Sequence, residues 1–206
     1  MSEKELIEYI QQNLEHSPMI DTETGIKALK KLAEIAQKEN IDWALAGGIA
    51  MHLYGSPRMT KDVDTISAGF LSLEGKHRLS FGGISYEVKV GKKLVTVDWI
   101  VRSDDYAEYY RQALKDAVIL PNGLKVLTPE WLVILKSIAG RAKDRDDAVY
   151  LLQRKKTVKR EKIRENVLKV GGEEAWRFAK LRFQELYEIA DGKSTTQEKY
   201  YIDEVK

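Results

Sequence analysis

Apolar positions along this chain change their spacing twice. In "EKELIEYIQQNL" they recur at helical intervals until Ser17 and Pro18 interrupt them, and over about residues 24–39 Ile26, Leu29, Ala33 and Ala36 share one face. Two N-terminal helices are expected from this pattern. "IDWALA", residues 41–46, is short and almost wholly apolar, as a strand buried on both faces would be. From about residue 61 the period falls to two. "KDVDTIS", "HRLSF", "ISYEVKV" and "LVTVDWIV" alternate or carry β-branched residues, with Gly82-Gly83 and the "GKK" at 91–93 as hairpin turns. A mixed, mainly meandering sheet follows. "SDDYAEYYRQALKDA" returns to helical spacing, and "LPNGLKVLTPE" leads into an almost entirely helical C-terminal half. There "EEAWRFAKLRFQELYEIA" is amphipathic, and most of Trp176, Phe178, Phe183 and Tyr187 are expected to pack. "DGKSTTQEKYYIDEVK" reads as a mobile or loosely docked tail.

The pattern defines an α/β (α+β) chain, a mixed sheet flanked by helices with a helical C-terminal half. Residues 1–120 are expected to form the core with its N-terminal helices, and 121–206 the helical region that completes a cleft. At 206 residues and 23.6 kDa the chain can bury a substantial core. A net charge of +2, from 34 basic and 32 acidic residues, announces no global attraction to nucleic acid or an anionic membrane, so any basic surface must be local. The absence of cysteine excludes disulfides, thiolate metal sites and cysteine nucleophiles. "MSEKELIEYI" has no apolar signal region and no run of about 18 apolar residues occurs, so a cytoplasmic protein without membrane contact is expected.

Candidate chemistry is concentrated between residues 46 and 98. Gly47-Gly48 falls where the apolar strand gives way to "IAMHLY"; side-chain-free residues there admit a ligand to the amides of a helix N-terminus, which favour anions, although taken alone they read first as a tight turn. Asp62 and Asp64 are two apart, so on a strand both carboxylates leave one face, as they would in an ordinary exposed strand. Asp98 weights the choice. It sits in the apolar strand "LVTVDWIV", where an unpaired buried charge is costly. If the two strands are neighbours, three carboxylates meet. Two like charges 4 Å apart repel by about 4 kcal/mol at an effective dielectric of 20, a burden that a divalent cation removes. Hard oxygen ligands suit Mg²⁺, which takes its remaining ligands from water and substrate phosphates.

Gly47-Gly48, a helix and then "DVDT" resembles the nucleotidyltransferase superfamily of DNA polymerase β, with thirteen residues between Gly48 and Asp62. Asp98 matches the third metal-binding carboxylate of that superfamily. Downstream, Lys136-x4-Arg141 in "KSIAGR" and Arg141-x-Lys143-Asp144-x-x-Asp147 in "RAKDRDD" look like the later motifs of AbiEii/AbiGii-type nucleotidyltransferases, a branch that contains toxins of toxin–antitoxin systems. The resemblance covers roughly residues 40–153. It implies a polymerase-β-type fold and transfer of a nucleoside monophosphate from a nucleoside triphosphate, ATP being the first to try, with release of pyrophosphate. Asp62, Asp64 and Asp98 would hold Mg²⁺, two ions about 3.5–4 Å apart. Gly47, Gly48, Arg58, Lys136 and Arg141 would contact the nucleotide, and Lys136 and Asp144 would join the three aspartates as catalytic residues. Thr60 is a weaker candidate beside Arg58.

The resemblance leaves the acceptor open among RNA or tRNA, protein and small molecules, and implies a cognate antitoxin as a partner if the chain is a toxin. By helical spacing alone, Arg141–Asp144 and Lys143–Asp147 would be ion pairs on a solvated face, and Lys136 would snorkel to the surface or turn into the cleft. His52 is expected to be a packed or partly exposed helix residue. "RKKTVKREKIR", residues 154–164, carries seven basic residues and one acidic; it suits either an RNA backbone or a solvated helix face. The alternative to the enzyme is a catalytically degenerate module that binds nucleotide, RNA or a partner protein.

Overall fold

In the computed structural model, which describes residues 19–193, helix α1 (Thr22–Lys38) begins where Asp21 accepts a 2.7 Å hydrogen bond from the Thr24 amide. That bond satisfies one of the donors a helix start leaves open. The first expected helix and most of the expected tail lie outside the described residues.

Strand β1 (Trp43–Ala46) runs directly into α2 (Gly47–Leu53), followed by β2 (Asp62–Ser67), β3 (His77–Arg78), β4 (Ile84–Val90) and β5 (Lys93–Ile100). Helix α3 (Ala107–Lys115) and the short strands β6 (Val118–Ile119) and β7 (Lys125–Val126) come next. The chain then continues as α4 (Pro129–Ala139), α5 (Ala142–Leu152) and α6 (Arg160–Ala190), the last broken at Gly172, where φ is +67°.

The fold class is the expected one, a mixed seven-stranded sheet in the order β3-β4-β5-β2-β1-β7-β6 with helices around it. Strands β3, β4 and β5 form an antiparallel meander, while β2 lies parallel to β5 and antiparallel to β1. Two details depart from the sequence pattern. Only His77–Arg78 of "HRLSF" forms a strand, and "LPNGLKVLTPE" is no mere connection, because β7 pairs in parallel with β1 and carries β6 as the sheet edge. Val118 and Ile119 are exposed, so β6 lacks the apolar alternation that would reveal it.

Alternation divides the central strands into two functional faces. Val63 pairs with Val97, and both are fully buried on the side covered by α1, whose Gly25 lies against Ile49 and Val63. Asp62, Asp64 and Asp98 point the other way, toward the cleft beneath α4 and α5. Helix α4 has a strong start and stop: Thr128 caps it, Pro129 opens it, and Gly140 ends it in the left-handed conformation. Within the C-terminal half, buried Glu130 of α4 accepts a 3.0 Å hydrogen bond from the Lys159 amide at the start of α6. Phe183 is buried as expected, but Phe178 is 74% exposed. Among the described residues no helix is long and apolar enough to cross a membrane.

Candidate active site

The ladder between β2 and β5 sets the geometry of the cleft. Asp64 and Asp98 are register partners in adjacent parallel strands, and Asp62 lies two residues earlier on the same face. All three line a cleft of about 370 Å³ together with Arg58, Lys136, Arg141, Lys143 and Asp144. Three carboxylates therefore come from the sheet, while Lys136, Lys143 and Asp144 come from α4 and α5, Arg141 from the turn between them and Arg58 from the loop before β2.

The electrostatics record the crowding. Burial, then the charges of Asp62 and Asp98, push the Asp64 carboxyl up from its ordinary 3.8 to about 6, with Lys136 and the Gly48 amide acting in the opposite direction. Burial also raises Asp98. Ser85 stands directly across the β4–β5 ladder from it, and its buried hydroxyl partly offsets the rise while making no well-aligned hydrogen bond. Thr60, itself buried, donates to the Asp62 carboxylate at 3.0 Å.

Gly47 and Gly48 do not line the cleft with the other predicted residues; they lie against Asp64 and Thr60. Gly47 has φ +56°, and a Cβ there would fall 1.7 Å from an Asp64 oxygen. A Cβ on Gly48 would fall 2.5 Å from the Thr60 hydroxyl. The two glycines thus seat the Asp64 carboxylate and the hydroxyl that holds Asp62.

The helical side is a chain of alternating charges. Lys136, buried in α4, places its Nζ 2.6 Å from Asp147 and 3.3 Å from Asp144. Arg141 Nε lies 2.6 Å from Asp144, and Arg58 Nε lies 2.8 Å from Asp147. The solvated face suggested by helical spacing does not exist, since Asp144 and Asp147 are 1% and 2% exposed. Arg141–Asp144 forms as spaced. Asp147, however, turns to Lys136 and Arg58 instead of Lys143, because α5 presents it to α4 and to the loop before β2. Burial raises the Asp144 carboxyl, but Arg141 and Lys136 outweigh it and hold the group below the ordinary carboxylate value.

Lys143 is left to face the cleft, where its charge reaches Asp98. Helical spacing pairs Lys143 with Asp147, and the motif they share with Asp144 gives neither of them a role of its own. His52 is a structural residue, bonded to Thr22 at 3.0 Å and to the Arg58 carbonyl. In the basic segment, Lys155 and Arg160 both pair with Asp191, so part of its charge is neutralised.

The donor set suits a hard divalent cation, with carboxylate oxygens from three residues on one sheet face. Among the described residues no group of three acidic or imidazole side chains stands in an arrangement that holds a metal ion as it is. Asp64 rests over Gly47 and Asp62 on Thr60. The backbone nevertheless places all three on one face, and rotation about side-chain bonds is what would bring them together.

No family model and no curated protein matches the chain. Among solved structures, an antigenic nucleotidyltransferase-like protein from Paracoccidioides brasiliensis is similar, at 21% identity, over 65% of this chain and 78% of that one, with a TM-score of 0.45.

Proposed function

We propose that the chain is a Mg²⁺-dependent nucleotidyltransferase that moves a nucleoside monophosphate from a nucleoside triphosphate to an acceptor hydroxyl. The observation that carries this reading is the pairing of Asp64 with Asp98 across β2 and β5, with Asp62 on the same face, beside a wall of Lys136, Arg141 and Lys143. A cleft with carboxylates on one side and cations on the other suits a polyphosphate bound through divalent ions. Neither half would serve a neutral ligand.

The residues divide the work. Asp62, Asp64 and Asp98 would hold the Mg²⁺ ions, which when bound supply Lewis-acid stabilisation of phosphate charge and lower the pKa of a coordinated hydroxyl. Arg141 and Lys143 meet the β- and γ-phosphates; Arg58 and Lys136, fixed by Asp147 and Asp144, add positive charge that needs no reorganisation during reaction. Asp98, whose carboxyl burial raises, would take the acceptor proton as the oxygen–α-phosphorus bond forms and the bond from α-phosphorus to the bridging oxygen breaks. Pyrophosphate leaves with that oxygen, and the proton passes to solvent. Gly47 and Gly48 contribute by seating Asp64, whose charged form the Gly48 amide favours.

Label transfer from each of four α-³²P nucleoside triphosphates, with Mg²⁺, into total RNA, total protein and the chain itself tests the reading. Transfer by the wild type that disappears in Asp62→Ala plus Asp64→Ala is expected, and the labelled fraction identifies the acceptor class. Triphosphate binding without any labelled product, across these acceptors and hydroxyl-bearing small molecules, would place the chain among nucleotide-binding modules instead.

A further inference from the structure

The third wall of the cleft is aromatic, and the carboxylates and cations leave it without a role. Phe81 and Tyr106 are 39% and 45% exposed, and Tyr110 lines the same space. Arg102 lies among them, its guanidinium 5.0 Å from the Tyr110 ring centre and 5.9 Å from that of Phe81. The guanidinium lies within cation–π range of both rings, so rings and cation form one polarisable wall.

This surface is held in place. Phe81 precedes Gly82 and Gly83, whose φ values of +102° and +111° let the β3–β4 turn lie on the backbone of β5; a Cβ on Gly83 would fall 2.2 Å from the Trp99 carbonyl oxygen. Arg102 Nε donates to Asp104 at 3.0 Å, and the same carboxylate accepts from the Tyr106 amide at 3.3 Å. Asp104 therefore fixes both the guanidinium and the start of the segment that carries Tyr106. From α4, Ile138 and Ala139 add apolar surface to the cleft.

The hydrogen-bonding inventory of the lining is equally specific. No Asn, Gln, Ser, Thr or His side chain lines the cleft among the described residues, and its uncharged polar groups are the two tyrosine hydroxyls. The edges of purines and pyrimidines are told apart by donor and acceptor patterns, read by amide, hydroxyl or free charged side chains; here Arg58, Lys136, Arg141 and Asp144 are engaged in ion pairs and Arg102 is bonded to Asp104. A site with rings and few such readers left free holds a base by its π-face, which every base has.

Resting on the nucleotidyl-transfer reading above, we infer that Phe81, Tyr106 and Arg102 form a stacking platform for the base of the nucleoside triphosphate, one that accepts all four bases with little selection. The charged groups then fix the triphosphate and the platform fixes the nucleoside, without naming it.

The test is equilibrium binding of the full chain, with Mg²⁺, to the α,β-methylene analogues of ATP, GTP, CTP and UTP and to inorganic tripolyphosphate. The four analogues are expected to bind within about threefold of one another and about tenfold more tightly than tripolyphosphate, in line with the worth of one stacked base. Phe81→Ala plus Tyr106→Ala should reduce the analogues to the tripolyphosphate value and leave tripolyphosphate unchanged; because both rings are exposed, thermal denaturation should be little altered. Phe81→Leu, which keeps apolar bulk without a ring, should fall between. The platform is overturned if the double variant binds the analogues as the wild type does, if the wild type binds analogues and tripolyphosphate equally, or if one base is preferred more than about thirtyfold. Failure of every analogue and of tripolyphosphate to bind overturns the nucleotidyl-transfer reading as well.

Discussion

Asp64 and Asp98 are register partners in adjacent parallel strands, so two carboxylates leave the same face of the sheet at the same level. Neighbouring strands are about 4.8 Å apart, so without a cation these charges burden the fold. The cost has a direction in pH. Asp64 is raised from 3.8 to about 6 by burial and by its acidic neighbours, and Asp98 is raised too. Between those values the folded chain binds more protons than the unfolded one, so this pair's contribution to stability falls as pH rises from about 4 to 6 and stays low above. Asp98→Asn should therefore raise the melting temperature of the metal-free chain at pH 7.5 by about 2–4 °C, as expected for roughly 1 kcal/mol in a chain of this size. At pH 4 the gain should vanish. Equal effects at the two pH values, read by circular dichroism melts in EDTA, would show that the carboxylates are not coupled.

Divalent cations should reverse that cost. Mg²⁺ at a hundredfold excess over its dissociation constant is expected to stabilise the wild type by about 2.7 kcal/mol, a rise of several degrees. Asp62→Ala plus Asp64→Ala should melt at the same temperature with and without Mg²⁺. A Mg²⁺-dependent rise that survives in the double variant would locate the cation elsewhere.

Gly47 has a purpose that a plain turn glycine lacks. Gly47 and Gly91 have nearly the same φ, +56° and +59°, but a Cβ at Gly91 meets nothing within 4 Å whereas one at Gly47 strikes the Asp64 carboxylate. Gly91→Ala should cost only the left-handed strain, about 1 kcal/mol. Gly47→Ala should cost that and displace Asp64, with nucleotidyl transfer reduced by about tenfold or more while Gly91→Ala keeps it. Comparable activity in the two variants would show that Asp64 tolerates the displacement.

The sheet side of this site could be read from the chain because strands alternate strictly. Asp62 and Asp64 had to share a face, and Asp98 was conspicuous in an apolar run. Lys136 stood out for the same reason, a charge among apolar neighbours in α4. Asp147 could not be read in this way. Helical spacing offered it Lys143, and only the packing of α5 against α4 and the Arg58 loop reassigns it. Phe81 and Tyr106 gave no signal, since an aromatic at the end of an expected strand or the start of an expected helix reads as packing; they gain meaning from the glycine turn and the Asp104 bonds that aim them. Strand β6 stayed hidden because two exposed residues cannot alternate.

Lys136 and Asp147 form a buried ion pair whose value lies in positioning, and that can be separated from stability. Their side chains are 9% and 3% exposed and their charged atoms 2.6 Å apart. Removing one partner of such a pair leaves a buried charge and costs about 3–5 kcal/mol, whereas replacing both by apolar groups of similar volume is often neutral. Lys136→Met should therefore lower the melting temperature by roughly 6 °C or more. Adding Asp147→Leu should recover at least half of that, since Arg58, a third exposed, can turn to water once its partner is gone. Neither variant should regain transfer activity, because the ammonium that faces the cleft is absent from both. Melting temperatures in which the two losses simply add would mean that Asp147 draws its support from Arg58 alone, and that Lys136 sits beside it without being held by it.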